Sequence, residues 1–155
     1  MTDLMQLGQQ AKDSAQQLAL MPTNRKNELL VQMAKTIKKN QQAIIEANHK
    51  DLEKAVENNI SETMQDRLQL TPERINAMVA EIEKIASLDD PIGKVDEMWT
   101  NTDGLRIGKK RVPLGVIGII YESRPNVTTD AASLAFKSGN AVILRGGKEA
   151  FFSNQ

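Results

Sequence analysis

At 155 residues, with 40% apolar and 26% charged side chains, the chain is long enough for one domain with a sizeable core and too apolar to be disordered. Its 20 basic and 20 acidic residues cancel, which leaves no electrostatic footprint for nucleic acid, and the absence of Cys excludes a disulfide framework and a thiolate metal site. The amino terminus has neither the basic start nor the apolar core of a signal peptide, and no stretch reads as a membrane span. The expectation is a cytoplasmic protein with no membrane, nucleic-acid or metal partner.

Leu4, Leu7, Ala11 and Leu18 recur at helical spacing through a Gln-rich segment that Pro22 closes, with Thr23 placed to cap the next helix. Leu29, Leu30, Met33, Ala34 and Ile37 form a second apolar stripe, and a third helix runs from Gln41 through Ile45, Leu52 and Val56 to Asn58 and Asn59. After a polar connection, Thr71 caps a fourth helix opened by Pro72, whose buried face is Ile75, Met78, Val79, Ile82 and Ile85. Met in these stripes fills core gaps. His49, the sole His, sits in a polar helix without a Cys, a Ser or a second ligand beside it and reads as no base.

Pro91 and Gly93 end the helical part, and the periodicity then changes. Residues 95–100 and 105–112 flank the turn-rich Asn-Thr-Asp-Gly at 101–104 and read as a hairpin whose second strand is basic at Lys109, Lys110 and Arg111, a device that discourages indiscriminate edge pairing. Residues 114–121 form an aliphatic run interrupted by Gly115 and Gly118, which suits a strand buried on both faces of a parallel sheet. Pro125 restarts the chain as a helix with Val127, Ala131, Leu134 and Ala135 on one face, Gly139 stops it, and residues 141–144 make a second apolar run. The crossover is long enough for the two runs to be parallel strands, so the segment is a right-handed βαβ unit. Another helix begins at residues 151–155.

Ligands of open α/β sheets sit at the carboxyl ends of the strands, which here are the loops Tyr-Glu-Ser-Arg-Pro-Asn at 121–126 and Arg-Gly-Gly-Lys at 145–148. Neither a G-x-G-x-x-G fingerprint nor a phosphate loop of the G-x-x-x-x-G-K-[ST] type is present, which removes the main support for a kinase. The Gly146-Gly147 turn allows backbone N–H groups to approach an anion, with Arg145 and Lys148 supplying charge. Residues 101–155 carry 8 basic and 4 acidic side chains, against 12 and 16 in residues 1–100. An anionic ligand and a solvated surface both account for that split.

PLGVIGIIYESRPNVT and KSGNAVILRGGKEA together resemble the glutamate-5-semialdehyde dehydrogenase, or γ-glutamyl phosphate reductase, family of the aldehyde dehydrogenase superfamily. The resemblance extends over the whole chain, more loosely toward its amino end. It implies the amino-terminal part of an aldehyde dehydrogenase-like α/β fold. Residues 1–92 would be the helical part of the cofactor-binding domain, 93–112 a β-hairpin arm in contact with another subunit of a homo-oligomer, and 113–155 the first βαβ of a Rossmann-type domain.

It also implies NADPH-dependent reduction of glutamyl 5-phosphate, a small-molecule substrate, to glutamate 5-semialdehyde and phosphate in proline biosynthesis, by way of a Cys thioester. With no Cys, the chain alone is expected to be inactive. Arg145 takes the place of a superfamily Lys that contacts the adenosine ribose, and its planar fork suits a 2′-phosphate, so Arg145, Gly146, Gly147 and Lys148 are the expected cofactor contacts. Asn126 is the candidate oxyanion donor, although it stands two positions after the superfamily column, which Arg124 occupies; starting the helix is its other reading. Arg124 is the candidate ligand for the substrate phosphate or carboxylate, with a surface ion pair as the alternative. Two further readings stay open: a non-catalytic interaction module with a vestigial cofactor site, and a reductase for another activated acid or aldehyde.

Overall fold

The structure, a computed structural model, describes residues 3–122 and 124–155. Its elements run α1 (Leu4–Ala19), α2 (Thr23–Lys39), α3 (Gln41–Glu57), α4 (Glu62–Leu68), α5 (Pro72–Ser87), β1 (Val95–Thr100), β2 (Arg106–Lys110), β3 (Val116–Ile120), α6 (Pro125–Lys137) and β4 (Ala141–Arg145), followed by a 3₁₀ turn at Lys148–Ala150. β1 and β2 pair antiparallel, with Trp99 opposite Ile107. β3 and β4 pair parallel, with Val116 opposite Ala141 and Ile120 opposite Arg145. The mixed α/β class, the hairpin and the βαβ unit are as the sequence predicts.

The main core lies between α2 and α5, where Leu30 and Ala34 meet Ile82, Ile85 and Ala86, all almost completely buried. Phe136 of α6 packs on the same cluster. A second cluster joins α5 to α3 through Leu70, Ile75 and Met78 against Ile44 and Ile45. As expected, Pro72 opens α5 and the Thr71 hydroxyl caps it, accepting from the Arg74 N–H at 3.2 Å. Gly139 ends α6 at φ +71°, a left-handed conformation that would strain a side chain, and an added Cβ would lie 3.1 Å from Pro113.

Tertiary contacts overrule several local expectations. Pro22, not Thr23, is the N-cap of α2; Thr23 is helical and its hydroxyl donates to Asp90 Oδ2 at 2.8 Å, 67 positions away. The connection before α5 contains a helix, α4, held because Leu68 is buried against Ala55 and Ala150. On α6 the buried residues are Pro125, Ser133, Ala135 and Lys137, while Leu134 is exposed. Lys137 goes inside because its ammonium donates to the Asn27 side chain at 2.5 Å and the Ala86 carbonyl at 2.9 Å.

β3 is not buried on both faces. Ile117 and Ile119 are half-buried, whereas Val116, Gly118 and Ile120 are exposed, Ile120 by 85%, because the sheet is two-stranded and only alternate side chains are covered. In place of a further helix, residues 151–155 form turns pinned by buried Asp51, whose carboxylate accepts from the N–H of Phe152 at 3.0 Å and from the N–H and hydroxyl of Ser153 at 2.8 and 2.6 Å.

Candidate functional site

Both expected loops leave the carboxyl ends of adjacent parallel strands, the Tyr121 N–H bonding the Arg145 carbonyl at 3.1 Å. Ser123 of the first loop lies outside the described residues. Arg124 then takes an extended conformation, as the residue before a proline prefers, and Pro125 starts α6 with a φ already suited to a helix. The Arg124 carbonyl closes the first turn by accepting from Val127 at 3.0 Å. The Asn126 side chain does not cap; its amide nitrogen donates to Asp130 Oδ2, one turn further on, at 3.2 Å.

Arg124, Asn126 and Asp130 line a cleft of about 490 Å³ whose other wall is Arg67 of α4 and Arg74 and Glu81 of α5. Arg74 is already committed, to the Asp66 carboxylate at 2.8 Å and to the carbonyls of Asp66 and Gln69. Among the described residues, Arg67 and Arg124 stand within 4.0 Å of no carboxylate. The Asp130 carboxyl sits above its ordinary value: burial pushes it up, the Asn126 amide pulls it back, and the Glu81 carboxylate adds to the rise. The sequence reading missed Asp130, although its spacing of four from Asn126 on one helix puts both on one face. Arg67 and Glu81 reach the cleft only through the packing of α4 and α5.

The second loop opens elsewhere. Lys148 lines a separate cleft of about 710 Å³ with Lys54, Asn58 and Ser61, so α4 lies between it and the Arg124 cleft. Arg145 and Lys148 are exposed and, among the described residues, within 4.0 Å of no carboxylate, a donor set that fits a phosphate. At Gly146 an added Cβ would lie 2.6 Å from Asn154 Nδ2 and 3.2 Å from the Tyr121 hydroxyl. Both belong to a polar chain in which the Thr128 hydroxyl stands 2.5 Å from Tyr121 and donates to Asn154 at 2.6 Å. The missing side chain at Gly146 therefore makes room for this chain itself. His49 is exposed, and among the described residues no group of His, Cys, Asp and Glu could hold a metal ion. Nor, among them, is any helix long and apolar enough to cross a membrane.

A parallel βαβ unit with polar loops at the carboxyl ends of its strands, supported by a helical layer, defines a mixed α/β chain. No family model matches the chain. It is 68% identical over 154 residues to a γ-glutamyl phosphate reductase of Enterococcus faecalis, covering 99% of this chain and 37% of that protein. With the γ-glutamyl phosphate reductase of Moorella thermoacetica it shares 53% identity over 148 residues, 96% of this chain and 35% of the other. The crystal structure of the Thermotoga maritima γ-glutamyl phosphate reductase superimposes with a TM-score of 0.94 at 42% identity, over 99% of this chain and 37% of that one. The Saccharomyces cerevisiae enzyme superimposes at 0.93 with 34% identity, over 99% and 39%. The chain is thus similar to the amino-terminal part of the γ-glutamyl phosphate reductases, and it spans somewhat over a third of the length of these relatives.

Proposed function

We propose that the complete protein carrying this chain reduces L-glutamyl 5-phosphate to L-glutamate 5-semialdehyde and phosphate in the cytoplasm, in proline biosynthesis, with NADPH as reductant. The observation that carries this reading is the 68% identity to a γ-glutamyl phosphate reductase across 99% of the chain, both loops included. A Cys thiolate supplied from outside this Cys-free chain displaces phosphate from the acyl carbon and is itself displaced when the thioester is reduced. The cofactor, when bound, supplies the hydride for that reduction.

This chain contributes binding and polarisation. Asn126, its amide oriented by Asp130, donates to the oxyanion that forms as the thiolate adds. Arg124 binds an anionic group of the substrate. Arg145 and Lys148 hold the cofactor's phosphates, and the Arg145 fork selects the 2′-phosphate. Gly146 and Gly147, which form an extended connection and not the turn expected from the sequence, complete that loop, Gly146 by admitting Tyr121 and Asn154 beside it.

The exposed hairpin of β1 and β2, with Trp99 and Met98 uncovered, is the contact between subunits of a homo-oligomer. The assay is reduction of NADP⁺ by the complete protein given L-glutamate 5-semialdehyde and inorganic phosphate. Phosphate-dependent turnover is expected; turnover indifferent to phosphate, or none, refutes the reading.

A further inference from the structure

Thr128 stands apart from the other hydroxyls of α6. Thr129 and Ser133 donate to the carbonyls of Asn126 and Thr129, three and four positions back, as hydroxyls inside a helix ordinarily do. Thr128 instead reaches out of its helix, standing 2.5 Å from the Tyr121 hydroxyl and 2.6 Å from Asn154 Oδ1. An amide oxygen only accepts, so the one hydroxyl hydrogen of Thr128 is spent on Asn154, and Tyr121 is the donor to Thr128. The chain therefore runs in one direction, from Tyr121 through Thr128 to Asn154, and Thr128 is the member that both accepts and donates. Its ends flank the second loop, because at Gly146, next to Arg145, the Asn154 amide nitrogen and the Tyr121 hydroxyl fill the room a side chain would take. Its middle lies two residues beyond Asn126. Among the described residues no other side chain of α6 hydrogen-bonds the segment after β4.

We infer that Thr128 is a positioning residue, whose hydroxyl holds the start of α6, and with it Asn126, in register with the connection at 145–148. The inference rests on the proposed reductase reading for what the two loops bind, and it adds a residue that lines neither cleft. In that reaction Asn126 and the bound cofactor must meet the same acyl carbon, and a displacement of about 1 Å lowers a rate by up to about 100-fold. Without the Thr128 hydroxyl, Asn154 loses the bond that orients its amide beside Gly146, and the first turns of α6 lose their side-chain tie to the second loop.

The test uses the complete protein and three variants. Thr128→Val keeps the shape and loses both bonds, Thr128→Ser keeps the hydroxyl, and Asn154→Ala cuts the chain at its other end. Two quantities are read: the Kd for NADPH from its fluorescence, without turnover, and kcat with L-glutamate 5-semialdehyde, phosphate and NADP⁺. Thr128→Val and Asn154→Ala are expected to raise the Kd about five- to tenfold, the effect of one lost hydrogen bond, and to lower kcat about 10- to 100-fold. The KM for L-glutamate 5-semialdehyde stays at its wild-type value, and Thr128→Ser restores both Kd and kcat. A merely structural role would lower Tm and leave Kd and kcat per folded molecule unchanged. That result in either variant overturns the inference, as does a Thr128→Ser as impaired as Thr128→Val; if Thr128→Val does not fold, Asn154→Ala decides. NADPH binding that weakens in the variants of a wild type without phosphate-dependent turnover would sink the reductase and keep the positioning role. Phosphate-dependent turnover at the wild-type rate and Kd in every variant would sink the positioning role and keep the reductase.

Discussion

Asp90→Ala would leave a buried ammonium without its counter-ion. The Lys26 Nζ stands 2.8 Å from Asp90 Oδ2, with the two side chains only 3% and 9% exposed, and its other bond is a long 3.4 Å contact to the Lys137 carbonyl. Lys137 is buried on the same side, where burial already draws its pKa down, the Asp90 charge opposes that and the Lys26 charge adds to it. Removing Asp90 therefore strands one cation and strips another of support. Breaking a buried pair from one side costs about 3–5 kcal/mol, and with a urea slope of about 2 kcal/mol per molar the unfolding midpoint should fall by roughly 2 M.

The effect carries a pH signature. Burial pushes the Asp90 carboxyl up, but the Lys26 ammonium, the Ile92 N–H and the Thr23 hydroxyl outweigh it and hold the group below its ordinary value. Its stabilisation is thus fully present above the unfolded pKa of about 3.9 and is lost as pH falls through the lower folded value, so variant and wild type should converge in acid. Equilibrium urea unfolding by far-UV circular dichroism at neutral and acid pH is the assay. A shift below about 0.5 M at neutral pH, or a gap that widens in acid, would refute the reasoning. So would a Lys26→Met/Asp90→Leu pair no more stable than Asp90→Ala, since removing both charges together avoids the stranded ion.

The remaining expectations concern the two loops and the end of the chain. Arg145→Ala in the complete protein should raise the KM for NADPH about tenfold more than that for NADH, and equal effects would remove the 2′-phosphate assignment. Asn126→Ala should lower kcat and kcat/KM together by about 100-fold; an unchanged kcat would leave Asn126 a structural residue. Gly146→Ala should cost roughly 1–3 kcal/mol, read as a lower Tm, because the new methyl meets Asn154 and Tyr121. Asp51→Ala removes the acceptor for two backbone N–H groups and one hydroxyl at residues 152 and 153 and should cost about 3 kcal/mol, with faster amide exchange there than in α5 as the check.

Signals carried within a few residues were legible in the sequence; those made by distant partners were not. The Thr71-Pro72 start of α5, its apolar face and the Pro125-to-Gly139 span of α6 follow from capping chemistry and periodicity, and the structure keeps them. Thr23 offers an equally good capping hydroxyl, but Asp90 competes for it from the connection that follows α5. Lys137 looks like part of an exposed face until Asn27 and the Ala86 carbonyl are brought within reach. The same division runs through the clefts: Arg124, Asn126 and Lys148 stand on loops legible in the sequence, whereas Glu81 and Arg67 line the Arg124 cleft only because α4 and α5 pack where they do.

α4 shows how far a weak local signal can matter. Glu-Thr-Met-Gln-Asp-Arg-Leu is seven residues with three charges and no apolar stripe, too short to be stable as an isolated helix. Its position is set at its end, where Leu68 is buried and the side chain of Asn48 grips the chain by donating to the Leu68 carbonyl at 2.8 Å and accepting from the Leu70 N–H at 2.7 Å. Asn48 is in turn tied at 3.0 Å to Ser153, which Asp51 also holds, so the segment after the Arg-Gly-Gly-Lys loop and the end of α4 share one buried polar knot. That knot fixes the wall between the two clefts, with Arg67 facing the Arg124 cleft and Ser61 and Met64 facing Lys148. A change at Asn48 would therefore disturb both clefts at once, although its side chain lines neither.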